Sequence, residues 1–491
     1  MIPILSGNVA SALGGAYEVA NSCRFDDGSS AYMHKTPGSE GNKRKWTFST
    51  WYKKGNAAID GNDGRWITVG ADANNRDIIY HGSTNMIGFM GVRSGSASFD
   101  VYTTNNIHRD VSAWYHLVVA VDTEQATAAN RVKMYLNNVQ LTASNVLDGS
   151  TSYPAEDLDT YFCDDVKHII GKEFADTTYF DGYLAETILV DGSQLTPSSF
   201  GEFDEDSPTI WKPKDVSGLT FGTNGFYLDY EDSANLGNDA NGGTDFTEVN
   251  LAAADQATDT PTNNFCTMNP LDNYYPASTF SEGNCKVVQG GSAFAWNLST
   301  IAVTAGKWYA EAKLTTSGTY ALVGITDTSP TSKTTKIIGS GAYDYSVYQY
   351  NGDLYNNAGD NPANDDANYA ASYASGDIIG IALDITNSKI YFSKNGAWSD
   401  GSGSWDSSTF NASVGAVTIT APASTNNGHY FFGSGDYESG SQPTWEWNFG
   451  GCPPNTISSG NSDENGYGNF EYAVPSGYLA LCTKNLGSDG G

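Results

Sequence analysis

Residues 114–142 read WYHLVVAVDTEQATAANRVKMYLNNVQLT. The opening alternates Trp114, His116, Val118 and Ala120 with Tyr115, Leu117, Val119 and Val121, so both faces of an extended run are largely apolar. A strand buried within a sandwich has that character. Polar and small residues at 122–130 interrupt it, and 131–136 resumes with Val132, Met134 and Leu136 on one side. Asn137-Asn138 then supplies a turn, because asparagine tolerates positive φ. The same grammar returns in GDIIGIALDITNSKIYFSKNGAW, residues 376–398. There a β-rich run (378–385) ends at Thr386-Asn387, a second (389–393) follows, and Asn395-Gly396 turns the chain. Two such patterns predict two antiparallel β-sandwiches in tandem.

Shorter runs complete each half. Residues 45–51 (KWTFSTW), 66–69, 86–92, 98–102, 168–171 and 180–190 (FDGYLAETILV) read as strands of the first. Residues 307–314 (KWYAEAKL), 320–325 (YALVGI), a hairpin at 345–355 about Asn351-Gly352, and 445–449 belong to the second. No long segment carries the 3.6-residue apolar period of an amphipathic helix, so the fold class is all-β. The pattern divides the chain into an arm (1–19), a sandwich (20–203), an acidic connector (204–278), a second sandwich (279–450) and a C-terminal segment (451–491). Within the connector, 226–230 offers an edge strand to either sandwich.

A chain of 491 residues is too long for one core. Its 54 glycines suit short strands and tight turns. Acids outnumber bases 56 to 25, for a formal charge of −31. That field excludes a nucleic-acid partner, where lysine and arginine must neutralise phosphate, and disfavours an anionic membrane. No stretch approaches the about 20 apolar residues of a membrane helix, so no membrane insertion is expected. Cys23, Cys163, Cys266, Cys285, Cys452 and Cys482 form no CxxC or Cys/His cluster, which removes zinc and redox motifs. Cys452 with Cys482, and Cys266 with Cys285, are candidate pairs, left open by the sequence. The start, MIPILSGNVASALGGAYEVANS, lacks the basic and apolar parts of a secretion signal. Extracellular character without an export signal points to a component of a virus particle, made in the host cytoplasm and released by lysis.

Taken in order, FSTWYKKG, WYHLVVAVD, VKMYLNNVQL, IIGK and YFDGYLAETILVDGSQLTP resemble the laminin G-like (concanavalin A-like, pentraxin-related) jelly roll over residues 20–203. KWYAEAKL, ALVGIT, YQYNGDLYNNAG, GDIIGIALDITNSKIYFSKNGAW and WEWNFG resemble the SPRY (B30.2-like) domain over about 170 residues. YEDSANLGNDANGGTDF and YAVPSGYLALCTKNLG are similar to segments of bacteriophage virion proteins. Together these resemblances imply a phage tail fibre or receptor-binding protein, exposed on the particle surface. The arm would dock on other virion subunits, a homo-oligomer is expected, and the ligand would be a host-surface glycan or protein.

A catalytic reading competes with these expectations. A glycosidase needs two carboxylates flanking one bond, roughly 5–9.5 Å apart. Glu202, Asp204 and Asp206 have strand spacing but sit beside a proline; Glu311 stands alone; Asp229, Glu231 and Asp232 lie in the connector. Each reads better as a solvated acid, so the chain is expected not to be an enzyme. His116 reads as a packed core histidine. Calcium is the one cofactor the pentraxin relation suggests, with Asp60, Asn62 and Asp63 offering hard oxygen ligands and Asp122, Asp164 and Asp165 able to join them. Tyr343 and Tyr345 open a tyrosine run suited to stacking on sugars, although scaffold strands also need large side chains. Trp398 and Trp405, in the Gly/Ser-rich stretch AWSDGSGSWDSS, are the looser ligand-binding candidates. The competing reading is a capsid or tail decoration protein that packs on neighbouring subunits along both sandwiches.

Overall fold

The computed structural model describes residues 17–55, 64–82, 84–104, 107–174, 178–273, 278–291, 294–316, 318, 320–328, 337–357, 368–437 and 442–488. The chain divides into two units, Met1–Asn263 and Asn264–Gly491. Both are antiparallel β-sandwiches. Among the described residues, α-helix is confined to the short segments Ala128–Arg131 and Thr483–Ser488.

In the first unit Trp114–Asp122 pairs with Lys45–Lys54, which pairs with Gly182–Asp191. Val132–Leu136 and Val139–Leu141 extend this sheet on one side, Ser22–Phe25 and Gln256–Ala257 on the other, and Phe226–Leu228 adds an eighth strand. The opposing sheet runs Thr247–Val249, Tyr32–Lys35, Lys167–Ile170, Gly64–Asp72, Asn75–Gly82, Met86–Arg93, Ser96–Tyr102. Period-2 alternation sends Trp46, Phe48 and Tyr52 inward to meet Trp66, Ile67 and Phe89. Asn137 and Asn138 take φ of 48° and 67°, the left-handed pair that a two-residue hairpin turn demands.

Residues 204–263, expected as connector, are instead part of this unit. Lys45–Lys54 and Gly182–Asp191 are buried on both faces, so the outer face of their sheet needs a cover. Phe200, Val216 and Phe221 supply it over Val118, Tyr135, Ile188 and Val190. Four short stretches of the supposed linker become strands, three of them in the two large sheets. Asp259 ties the last of it down. Its carboxylate accepts from Lys53 Nζ at 2.7 Å and from the Trp114 indole N–H at 2.9 Å. The side chains of Lys53 and Asp259 are each 1% exposed. His116 lies under the same cover: the Trp211 indole N–H donates to its Nδ1 at 2.9 Å, and its Nε2 meets Ser49 Oγ at 2.8 Å. Burial lowers the imidazole to about 3, so it is a neutral packing group.

The second unit opposes a ten-stranded and a five-stranded sheet. In the larger, Lys307–Thr316 lies between Thr444–Asn448 and Ile378–Asp384, followed by Lys389–Lys394, Ala397–Ser399 and Trp405–Ser407. The smaller runs Trp296–Val303, Tyr430–Asp436, Ala321–Thr326, Tyr345–Tyr348, Leu354–Tyr355. Trp308, Ile381, Phe392, Trp445 and Trp447 meet Val323, Val347 and Phe432 in the core. The C-terminal segment does not stand apart. Leu479–Ala480 pairs in parallel with Lys307–Thr316, placing Trp308 beside Leu479 and Tyr309 beside Ala480. All six cysteines are buried.

Asp259→Ala removes the carboxylate to which both the buried Lys53 ammonium and the Trp114 indole N–H donate. Loss of one partner of a buried ion pair costs about 3–5 kcal/mol. Urea unfolding followed by tryptophan fluorescence is expected to show the first unit's transition moved to lower denaturant by that amount.

Candidate functional site

Alternation along Lys307–Thr316 commits Trp308, Ala310, Ala312 and Leu314 to the core and leaves Tyr309 and Glu311 on the opposite face. Register then aligns one row across five neighbouring strands. Asn448 faces Glu311, Glu311 faces Gly380, Gly380 faces Ser393, and Ser393 faces Trp398. A Cβ on Gly380 would fall 2.5 Å from Ser393 Oγ and 2.8 Å from the Tyr309 hydroxyl oxygen, so the missing side chain leaves those two hydroxyls their space.

The C-terminal segment covers part of this face. Phe470 and Tyr478 pack with Tyr309, Ala382, Tyr391 and Trp398 in a second apolar cluster. Glu311 fixes the covering chain: the backbone N–H groups of Glu471 and Tyr472 donate to its carboxylate at 2.9 Å each, and the Tyr309 hydroxyl at 3.1 Å. Glu311 is 2% exposed. Burial pushes its carboxyl up to about 7, against the lowering effect of its donors. This corrects the expectation of a solvated acid. The alternation of KWYAEAKL showed which face Glu311 occupies but not that a distant segment would close over it. Asp204 is corrected likewise: it is buried, with Lys212 Nζ at 3.1 Å.

The cover is incomplete. A recess of about 450 Å³ remains, walled by Tyr309, Trp398, Phe410 and Tyr472 with Ser393 and Asn395 among its polar groups. Trp398 meets Phe410 edge to face at 4.9 Å between centroids. Asn395 and Gly396 turn the chain at φ of 51° and 78°. A Cβ on Gly396 would strike the Tyr472 ring at 2.6 Å, so the turn and the covering segment require glycine to approach this closely. A smaller cavity of about 190 Å³ lies beside Trp398 and Phe410, under Asp406, Ser407 and Val414.

Of the ligand-binding candidates named from the sequence, Trp398 alone lines these spaces. Trp405 is half-buried against the main core, its indole N–H donating to the Ala371 carbonyl at 2.7 Å. Tyr345 is a core residue, its hydroxyl accepting from Thr420 N–H at 2.9 Å, and Tyr343 packs partly buried against the same core. Ser393, Phe410 and Tyr472 were missed. The IYFS alternation already put Ser393 on the outer face, whereas nothing local signals Tyr472.

Asp60, Asn62 and Asp63 lie outside the described residues. Among the described residues two acidic groups come together elsewhere in the first unit, each within 4.8 Å: Asp26, Asp27 and Asp181, and Glu40, Asp164 and Asp165. The second already has Lys43 Nζ at 3.3 Å from Glu40 and 3.7 Å from Asp164, an ammonium where a metal would sit. Asp122 is paired with Lys45 instead. In the first group, burial and the neighbouring Asp26 raise the Asp27 carboxyl, a strain that a hard cation would relieve. Gly55, which adjoins residues 56–63, donates its N–H to the Asp181 carbonyl at 3.1 Å.

The family model of the SPRY domain matches residues 307–417. The second unit therefore carries a SPRY domain, and the first is a jelly-roll-type sandwich. No curated protein sequence matches the chain. Among solved structures, the SPRY domain of human HERC1 is 16% identical, with 38% of this chain and 97% of that one covered at a TM-score of 0.28. The heptameric SAP-like pentraxin from Limulus polyphemus is 14% identical, covering 37% and 80% at a TM-score of 0.26. The CBM40 of Ruminococcus gnavus IT-sialidase, bound to α2,3-sialyllactose, is 14% identical, covering 31% and 87% at a TM-score of 0.21.

The raised Glu311 carboxyl makes stability pH-dependent with a definite sign. The folded chain holds its proton more tightly than the unfolded chain, whose Glu311 has the ordinary value of 4.5. Its contribution is therefore full below about 4.5 and lost as pH rises through about 7. Glu186 in the first unit is raised to about 7 by burial as well, so the wild-type slope contains both. Melting temperatures of wild type and Glu311→Gln, measured from pH 4 to 8, are expected to differ in slope between pH 4.5 and 7, with the variant the flatter.

Proposed function

We propose that the chain is a non-enzymatic adhesion protein of a bacteriophage particle, a tail fibre or receptor-binding component that recognises a host-surface glycan or protein. The observation that carries this reading is the aromatic recess beneath residues 397–410 of the SPRY unit. A concave, mostly apolar site with a few convergent polar groups is the usual form of a recognition site. The virion context rests on the phage-like segments at 230–246 and 472–487 and on the acidic, extracellular style of the composition. The arm, residues 1–19, would join the chain to other subunits of a homo-oligomeric assembly, with the SPRY unit presented to the host.

The acids favour binding over hydrolysis, because three of the carboxylates weighed for catalysis have another task. Glu311 holds the covering segment, Asp204 pairs with Lys212, and Asp229 caps the Glu231 N–H at 3.1 Å. Among the described residues no carboxylate lines the recess, where a glycosidase would need two. Of the aromatic candidates, Trp398 carries the binding role, Trp405 anchors the loop, and Tyr343 and Tyr345 support the frame. Calcium has a structural place in this reading, with Asp26, Asp27 and Asp181 as the residues that would hold it.

The decoration alternative asks for broad apolar contact along both units. Among the described residues the exposed large apolar side chains are Val139, Phe203, Leu271, Tyr350 and Val414, each from a different stretch of chain. That favours adhesion. Fluorescently labelled protein is expected to bind saturably to cells the particle infects and to block particle adsorption in competition. Label spread evenly over the particle body, with no cell binding, would instead identify a decoration protein.

A further inference from the structure

Ser393 lies in the middle of the outer-face row, one strand from Gly380 and one from Trp398. It is 1% exposed, and among the described residues its Oγ has no hydrogen-bond partner. Buried hydroxyls are nearly always paired, so an orphan at the floor of a recess marks where a partner belongs. The hydroxyl does not reach Glu311, which is satisfied by Tyr309, Glu471 and Tyr472. It lines the recess, where the other polar groups are hydroxyls and an amide: Tyr309, Asn395, Ser408 and Thr409. Among the described residues no Asp, Glu, Lys, Arg or His lines that space.

These features select a ligand class. A neutral lining gives an ionic group no counter-charge, and a chain of formal charge −31 repels an anion further. Trp398 and Phe410 offer aromatic surface, which suits the C–H face of a sugar ring. Ser393 Oγ both donates and accepts, as each sugar hydroxyl does, whereas a hydrocarbon side chain would leave it unpaired. A volume of about 450 Å³ lies within the roughly 300–1,000 Å³ range of small-molecule sites.

We infer that the recess bounded by Ser393, Trp398, Phe410 and Tyr472 is a binding site for a neutral sugar residue, with a ring hydroxyl on Ser393 Oγ. The inference rests on the adhesion reading and names its ligand. The covering segment is then part of the site, because Tyr472 forms one wall while Glu311 holds its backbone.

The test is the full chain on an array of neutral oligosaccharides built from glucose, galactose, mannose and N-acetylglucosamine, beside sialylated and sulfated glycans. Ser393→Ala removes only the hydroxyl and is expected to weaken binding about three- to tenfold, the worth of one neutral hydrogen bond. Ala473→Trp, at an exposed lining position, is expected to fill the recess and abolish binding. Both variants should melt with the wild type, and a hydrophobic-peptide array supplies the competing ligand. The inference falls if folded wild type retains no neutral glycan, or prefers charged glycans or peptides. It falls equally if both variants bind glycan as wild type does. Cell adsorption of the same proteins separates the two levels: adsorption unchanged in both variants sinks the sugar site and leaves the adhesion reading standing, while no adsorption by wild type sinks that reading.

Discussion

A β-strand with large side chains on both faces must be covered twice. The facing sheet provides the first layer in each unit, and the second has to come from chain that looks unstructured in sequence. In the first unit, residues 195–263 supply that second layer and Asp259 fastens it to Lys53 and Trp114. In the second, the segment after residue 450 supplies it and Glu311 fastens it through two backbone N–H groups. In both cases a buried acid side chain holds an irregular segment against a sheet by hydrogen bonds, where apolar contact alone is thin.

That arrangement explains how far the sequence could be read. Strand positions, both hairpin turns at Asn137-Asn138 and Asn395-Gly396, and the all-β class follow from local alternation and turn chemistry, which act over a few residues. The outer layers do not. EFDEDSPTIWKPKD and AAADQATDTPTNNF have linker composition, yet Trp211 bonds to His116 and Asp259 reaches Lys53 across 206 residues. Nothing local distinguishes an acid that faces water from one that a remote segment will cover, which is why Asp204 and Glu311 were misplaced. The site was legible to the same extent: Trp398 stands out in its Gly/Ser-rich setting, and Tyr472 becomes visible only once the cover is in place.

The loop at 397–408 shows how an aromatic residue in flexible-looking sequence can take either part. Trp398 directly follows a tight turn on a strand and forms the wall between two cavities. Trp405, deeper in the same loop, is spent on the Ala371 carbonyl and the core. Exposure does not single out the recess residue, because Trp398 is the more buried of the two; the Ala371 bond that engages the Trp405 indole does separate them.

The reach from Glu311 to Tyr472 spans 161 residues. Synthesis at about 5–20 residues per second puts roughly ten to thirty seconds between the appearance of the acid and of the backbone it binds. In the last part of that interval, once residue 417 has been made, the stretch matched by the SPRY family is complete while its outer aromatic face lies open to water. An uncovered Glu311 is an ordinary ionised carboxylate, and with Lys307 and Lys313 on the same strand face it discourages pairing with other nascent chains. Glu311 is thus one charge among several on the unfinished sheet, then changes character and becomes the clasp that closes it.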